Sequence, residues 1–323
     1  MAATDTLFAE HEALTERCGL VDRSERGKLA LTGAGAVEFL NGQVTNELAD
    51  LRPGDGRYAA FLTHKGKMLG DLRILAVGPD PDGPPTELLL DTERATLQVL
   101  FDTIRHYKIG YDVELHKRTL QCGLLSLVGP ECISVVGCEP PAAEHAHLQG
   151  RVGDRPVRLI ATADGVDVLC AAPDLEAVRM SLLGTSAIAV SEAAAEIVRV
   201  ERGRPRYGVD IDDTTIPQEA GLNERAVSFT KGCYVGQETV ARLYYRGKPN
   251  RHLRGLRMSA AAARGDELSL GERPVGHLGS VVESPRLGTI GLALVRREAS
   301  PGDTLGVGER RATAEVLELP FPA

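Results

Sequence analysis

The architecture this sequence predicts is α+β layers followed by a small antiparallel β-barrel. Three observations carry that expectation. Apolar runs follow one another in the order β-β-β-α-β between Tyr58 and Leu115, the order of a ferredoxin-like layer. From about Leu253 the texture changes to short β-type runs punctuated by glycines, from Gly271 to Gly308, as in a small closed sheet. The 323 residues exceed one average domain and are 43% apolar but only 4% aromatic, so the cores must be built from Leu, Val, Ile and Ala.

Element by element, Lys28–Thr32 reads as a strand, and Gly33-Ala34-Gly35 turns it into a helix that includes Phe39 and Leu40. Glu38 stands where a dinucleotide fingerprint needs its third glycine, so this is a strand-to-helix turn before it is a nucleotide site. Tyr58–Leu62 and Met68–Val77 form strands around a His64-Lys65-Gly66-Lys67 turn. Gly78–Pro85 is a surface loop, Glu87–Leu90 a strand, and Leu97, Leu100, Phe101 and Ile104 recur at helical spacing. Tyr111–Leu115, Leu124–Val128 and Ile133–Val136 read as further strands, and Pro140–Gly150 as a loop or short helix. Asp174 caps a helix from Leu175 to Leu183 that Gly184 stops, and Ser191 caps another whose apolar side holds Ile197, Val198 and Val200. The domain boundary falls near 248–253. Residues 1–250 form one α+β region and 251–323 a barrel domain.

Net charge is −8, which excludes a binder that neutralises phosphates over a broad basic face, so no direct nucleic-acid binding is expected. Met1–Leu20 has no apolar run behind a basic start, and no window approaches ~18 apolar residues. A soluble, cytoplasmic protein without membrane contact is the expectation. In such a chain the six cysteines read as reduced thiols. They show neither C-x-x-C nor Cys/His spacing, so no metal site is expected.

Four stretches concentrate chemistry. In Lys231–Arg242, Cys233 lies two residues from a cation, between glycines and ahead of a helix opened by Gln237, a setting that favours thiolate and anions. In Val198–Asp210, Glu201 ends a helix, where the dipole disfavours a carboxylate. It pairs either with arginines or with a ligand edge bearing two N–H donors. Gln218 and Glu219 line a site or cap a turn. Asp71 alternates with apolar residues in a strand, where an inward carboxylate must be paired or used.

Together these stretches resemble a known family. Lys231-Gly232-Cys233-Tyr234-Val235-Gly236-Gln237-Glu238 is similar to the K-G-C-[YF]-x-G-Q-E motif of YgfZ-type folate-binding proteins, within the glycine-cleavage T-protein (aminomethyltransferase) superfamily. Phe39–Asn46, Lys65–Met68, Ile216–Leu222 and Gly276–Ala293 resemble its other segments. The resemblance implies three lobes around a central funnel holding tetrahydrofolate or a one-carbon derivative, with residues 1–250 as two intertwined α+β lobes, one at approximately 50–120, and a C-terminal antiparallel barrel. It implies a part in assembly or repair of iron–sulfur proteins, with transient client partners and an effect on tRNA modification. Arg199-Val200-Glu201-Arg202-Gly203 resembles the R-x-E-x-G string of the aminomethyltransferases, so Glu201 takes the pterin-reading role. Their Asp-Asp pair reads Gly70-Asp71 here, which leaves Asp71 as the one acid at that place.

The leading expectation assigns Cys233 the reactive thiol, Glu201 the pterin, Lys231 and Arg242 the anionic groups, and Gln237 a further place in cofactor binding. Its rival is a folate-dependent aminomethyltransferase or demethylase with Asp71 as acid/base and no role for Cys233. A non-catalytic folate sensor is the third reading, and dinucleotide binding at Gly33 and Gly35 the weakest.

Overall fold

A computed structural model describes residues 2–308 and 312–322 of the chain. It contains two compact units. The first comprises residues 1–62, 69–194 and 225–235, and the second 63–68, 195–224 and 236–323.

The first unit opens with α1 (Ala2–Glu16), β1 (Gly19–Asp22), β2 (Gly27–Thr32), α2 (Ala36–Gln43) and β3 (Gly56–Leu62). There follow β4 (Met68–Val77), β5 (Glu87–Thr92), α3 (Leu97–Tyr107), β6 (Glu114–Lys117) and β7 (Cys122–Val128). It continues through α4 (Cys132–Val136), β8 (His147–Val152), β9 (Arg155–Thr162), β10 (Gly165–Ala171), α5 (Leu175–Leu183) and β11 (Ile188–Ala189). Two sheets result, one of order β3-β4-β5-β2-β6 and one of order β11-β1-β7-β10-β9-β8. Side chains alternate across each strand, so each sheet has two distinct faces. On the five-stranded sheet one face carries Leu29, Leu31, Ala59, Phe61, Leu72, Ile74, Leu88 and Leu90, which pack with Phe39, Leu40, Leu100 and Ile104 of α2 and α3. Burying that aliphatic face supplies the main stabilisation of the layer, at roughly 25 cal/mol per Å² of apolar area. The six-stranded sheet packs Leu125, Leu127, Leu159, Val166 and Val168 against Val135 of α4 and Val178 and Leu182 of α5.

Three expectations change here. Ile133–Val136 is not a strand but most of α4: Cys132, Val135 and Val136 are buried at helical spacing, and Gly137, at φ +72°, ends the turn. β-branched residues suggested a strand, but burial of one helical face against the sheet overrides that weak preference. The strand expected at Tyr111–Leu115 lies later, at Glu114–Lys117, where Leu29–Thr32 supplies its partners. The stretch before Gly150, read as loop or short helix, already contains β8, paired with β9 from His147 to Val152.

The second unit holds most of α6 (Glu192–Glu201), part of α7 (Asn223–Ala226), α8 (Gln237–Arg246) and six strands. These are β12 (Arg251–Met258), β13 (Glu267–Leu270), β14 (Arg273–Ser284), β15 (Gly288–Arg296), β16 (Thr304–Val307) and β17 (Ala312–Leu317). They close into an antiparallel barrel of order β12-β15-β14-β13-β16-β17 around Leu256, Leu268, Val275, Leu305, Ala314 and Val316. Closure leaves no free sheet edge. A smaller cluster joins Val200 of α6 to Leu253, Ile290, Leu292 and Phe321. Among the described residues no helix is long and apolar enough to cross a membrane.

Candidate functional site

In the first unit the site begins from strand alternation. Leu72, Ile74 and Ala76 point to the apolar core, so Asp71 and Arg73 occupy the opposite face of β4. The same rule puts Tyr58, Lys28 and Asp91 on that face, because Ala59, Leu29 and Leu90 lie on the other. Asp71, Arg73, Asp91 and Lys28 are all buried there. Buried charges must be paired. Arg73 meets Asp167 of β10 at 2.6 Å and Asp91 of β5 at 3.1 Å, which ties the two sheets of this unit together. Asp167 also accepts from Ser126 at 2.6 Å, and Asp91 pairs with Arg26 at 3.0 Å.

Asp71 differs from its neighbours: among the described residues no cation bridges it. Its Oδ2 accepts a short hydrogen bond from the Tyr58 hydroxyl, and its backbone carbonyl accepts from Thr92 at 2.5 Å. Burial raises its pKa above the ordinary carboxyl value; the Tyr58 bond works the other way, as does the charge of Arg26. Burial and Asp71 together hold the Tyr58 phenol protonated far into alkali. Tyr58 therefore serves as a hydrogen-bond donor and not as a base. The Arg225 guanidinium lies over its ring, 5.2 Å from the centroid. A buried carboxyl of raised pKa on a phenol donor is a candidate group for proton transfer.

Lys231 is buried, and its Nζ lies 2.7–2.9 Å from four acceptors, the carbonyls of Asn41, Val44 and Asn46 and Oδ1 of Asn41. An ammonium has three protons, so these oxygens saturate it. Burial draws its pKa down to about 8, against the pull of Glu47. The cation that sequence spacing offers to an anion is thus spent holding the turn after α2. Two residues on, Cys233 is an exposed free thiol, and Val235 donates its N–H to the carbonyl of Gly42.

The second unit holds Glu201, Gln237 and Arg242. Glu201 closes α6 and is 6% exposed. Its Oε1 accepts from the Ser284 hydroxyl at 2.5 Å, and that Ser284 oxygen in turn receives N–H groups of Arg286 and Leu287. The chain of bonds supplies what a carboxylate at a helix C-terminus lacks. Arg199, two residues earlier, pairs with Asp210 at 2.9 Å and with Glu196. Asp210 Oδ1 also accepts from the Ser280 N–H at 2.7 Å, so α6 is fixed on β14. Gln237 opens α8 after Gly236, whose φ of +84° needs a glycine, and Arg242 projects from that helix in an exposed position. Glu219 is a structural partner of Arg251, bonded through both oxygens at 3.2 and 2.9 Å.

The sequence reading missed Tyr58 and Arg225. Tyr58 alternates with Phe61 in the right sense to share a face with Asp71, which was a usable signal. Arg225 lies 167 positions later in the chain and carries no local one.

Residues 2–231 match the profile described as the GCVT N-terminal domain, and residues 251–322 that of the glycine cleavage T-protein C-terminal barrel domain. An aminomethyltransferase of Rubrobacter xylanophilus is 27% identical over 97% of this chain and 85% of its own. That of Thermotoga maritima is 29% identical over 98% and 89%. The crystal structure of glycine cleavage system aminomethyltransferase T from Bartonella henselae superposes with a TM-score of 0.85 at 22% identity, covering 98% of this chain and 89% of that one.

Proposed function

The chain belongs to the glycine cleavage T-protein family, and on that premise we propose that it is a folate-dependent one-carbon transferase of the aminomethyl type, with Asp71 as its acid/base group. The observation that carries this reading is the buried Asp71 carboxyl, held by the Tyr58 hydroxyl on the polar face of the five-stranded sheet. Relatives named aminomethyltransferases support it over nearly the whole chain. It corrects the order of the sequence expectations, which put iron–sulfur maintenance first.

The donor set suits tetrahydrofolate. Glu201 presents a carboxylate whose Oε1 is oriented by Ser284, the kind of acceptor that a pterin edge with parallel N–H donors needs. Arg242, exposed on α8, suits an anionic glutamate tail, and Gln237 suits polar groups beside it. Tetrahydrofolate, when bound, supplies a secondary amine that takes up a one-carbon unit. The protein's part is to orient the ligand through Glu201 and to hold or move a proton at the Asp71 carboxyl. Tyr58 holds that carboxyl at Oδ2. Lys231 serves by fixing the loop that carries Cys233 and not by binding the ligand. Within this reading residues 1–250 bind folate and 251–323 form the barrel that supports Glu201.

A second reading rests on Cys233, which is exposed within the string Lys231–Glu238. A YgfZ-type protein would use this thiol toward iron–sulfur client proteins and so affect tRNA modification, in the cytoplasm. One experiment separates the two. Ammonia release from an aminomethyl-lipoyl donor is measured with and without tetrahydrofolate, for wild type, Asp71→Asn and Cys233→Ser. The transferase reading expects folate-dependent release that survives Cys233→Ser and falls about a hundredfold or more in Asp71→Asn. No release by wild type, together with loss of iron–sulfur enzyme activity in cells carrying Cys233→Ser, would establish the second reading instead.

A further inference from the structure

His145 has a backbone, a pair of nitrogens and a neighbour that together require an explanation. Among the described residues it is the one non-glycine with φ in the left-handed region, at +72°. That conformation is strained for a residue with a side chain, and asparagine or glycine would fit it better. The surroundings hold it there. Its N–H donates to Ala161 at 2.8 Å. Its carbonyl fills the space beside Gly56, where an added Cβ would lie 2.2 Å from the His145 oxygen. Both ring nitrogens are buried without a hydrogen-bond partner. The nearest carboxylate, Oε1 of Glu144, is 3.8 Å from Nε2, too far for a bond. An orphaned polar atom of this kind is a cost to the fold. Fold maintenance alone would favour a residue that avoids both costs.

The ring lies against Tyr58, with centroids 6.2 Å apart and planes tilted by 39°. Arg225 contacts the same tyrosine ring and is tied to Glu144 at 2.6 Å, so His145 and Glu144 continue into the group that positions the phenol. The phenol in turn holds Asp71. We infer that His145 is a positioning residue for the Asp71 carboxyl, acting through the Tyr58 ring against which it packs. This rests on the reading of Asp71 as the acid/base group. Burial first, then the charges of Arg73 and Arg225, bring the imidazole to about 4, against the opposing charges of Glu144 and Asp167. The ring is therefore neutral at pH 7 and adds no positive charge beside a carboxyl whose protonation matters. Asp71 itself is faced by Tyr58, Glu93 and Arg26, so a change at His145 reaches it through the phenol.

The test titrates Asp71 directly by ¹³C NMR of the side-chain carboxyl in the full-length protein, with the signal assigned by its absence in Asp71→Asn. His145→Gly relieves the backbone and removes the ring, His145→Phe keeps a ring without nitrogens, and Tyr58→Phe removes the donor. The Asp71 midpoint should rise in Tyr58→Phe, rise in the same direction in His145→Gly, and return towards wild type in His145→Phe. In the transfer assay His145→Gly should lower kcat about tenfold with KM within about twofold. An Asp71 midpoint in His145→Gly equal to wild type would overturn the inference, as would one that Tyr58→Phe does not move. If circular dichroism shows His145→Gly unfolded, His145→Asn, which tolerates the same φ, takes its place. A wild-type protein without transferase activity would refute the proposed reaction, while the titration would still decide whether His145 positions the carboxyl.

Discussion

Asp71 shows what a buried carboxyl costs when, among the described residues, no cation bridges it. Its folded pKa lies above the unfolded value, because burial outweighs the Tyr58 bond. Such a group adds stability below the unfolded pKa and loses that contribution as pH rises through the folded one. Above that folded pKa the ionised side chain is therefore a cost to the fold. Asp71→Asn, neutral and of the same shape, should unfold at an equal or higher temperature than wild type at pH 8, and the advantage should shrink as the pH falls towards 4. Thermal unfolding followed by circular dichroism at several pH values checks this; a variant clearly less stable at pH 8 would show that the carboxylate is held by more than Tyr58. The sequence marked Asp71, Glu201 and Cys233 by residue type and motif. It could not mark His145, whose φ and orphaned nitrogens exist only once β8 lies beside Gly56. It misjudged the task of Lys231, because the carbonyls that consume its protons lie 185 to 190 positions away.

At the scale of elements, the five-stranded sheet works as a two-faced plate. One face is aliphatic and supplies stability; the other carries Tyr58, Asp71, Arg73 and Asp91. Arg73 is the clamp of that second face, 8% exposed at its side chain and bonded to carboxylates of both sheets. Arg73→Met would leave Asp167 and Asp91 short of a buried partner and should cost about 3–5 kcal/mol, read from urea unfolding. Adding Asp167→Leu to that variant should recover a good part of the loss, since an apolar pair carries no stranded charge. The clamp also sets an acid limit. Burial pushes the Asp91 carboxyl up, but Arg26 and Arg73 outweigh it and hold its pKa below the ordinary carboxylate value. A depressed carboxyl gives stability that is present above the unfolded value and lost as pH falls through the folded one, so wild type should lose stability below about pH 4 and Arg73→Met should show a smaller loss over that range. The strands of this sheet were legible because alternation and apolar runs are local signals. α4 was not, because its β-branched residues obey the demand of the adjoining sheet for an apolar helical face and not their own preference.

For the whole molecule, the barrel was visible from β-type runs punctuated by glycines, since closing six strands into a small barrel requires frequent tight turns. The strand order was not visible, because β12 pairs with β15 and β17 through contacts far apart in sequence. The barrel presents Ser284 at the end of β14, and Ser284 orients Glu201 at the end of α6. Anything that binds the native chain and not the unfolded one stabilises it by mass action. Tetrahydrofolate at a hundred times its Kd should therefore add about 2.7 kcal/mol, seen as a thermal midpoint several degrees higher. Glu201→Ala should abolish that shift, and Ser284→Ala should weaken it, because the carboxylate then loses the hydroxyl that aims it. Cys233→Ser should keep it in full, since an exposed thiol on the loop fixed by Lys231 has no part in holding a pterin. Differential scanning calorimetry with tetrahydrofolate, and with oxidised folate as a control for non-specific binding, reads all four proteins. A wild-type midpoint that does not move with saturating tetrahydrofolate would remove the ligand from the proposal, and an unchanged shift in Glu201→Ala would remove Glu201 from its binding.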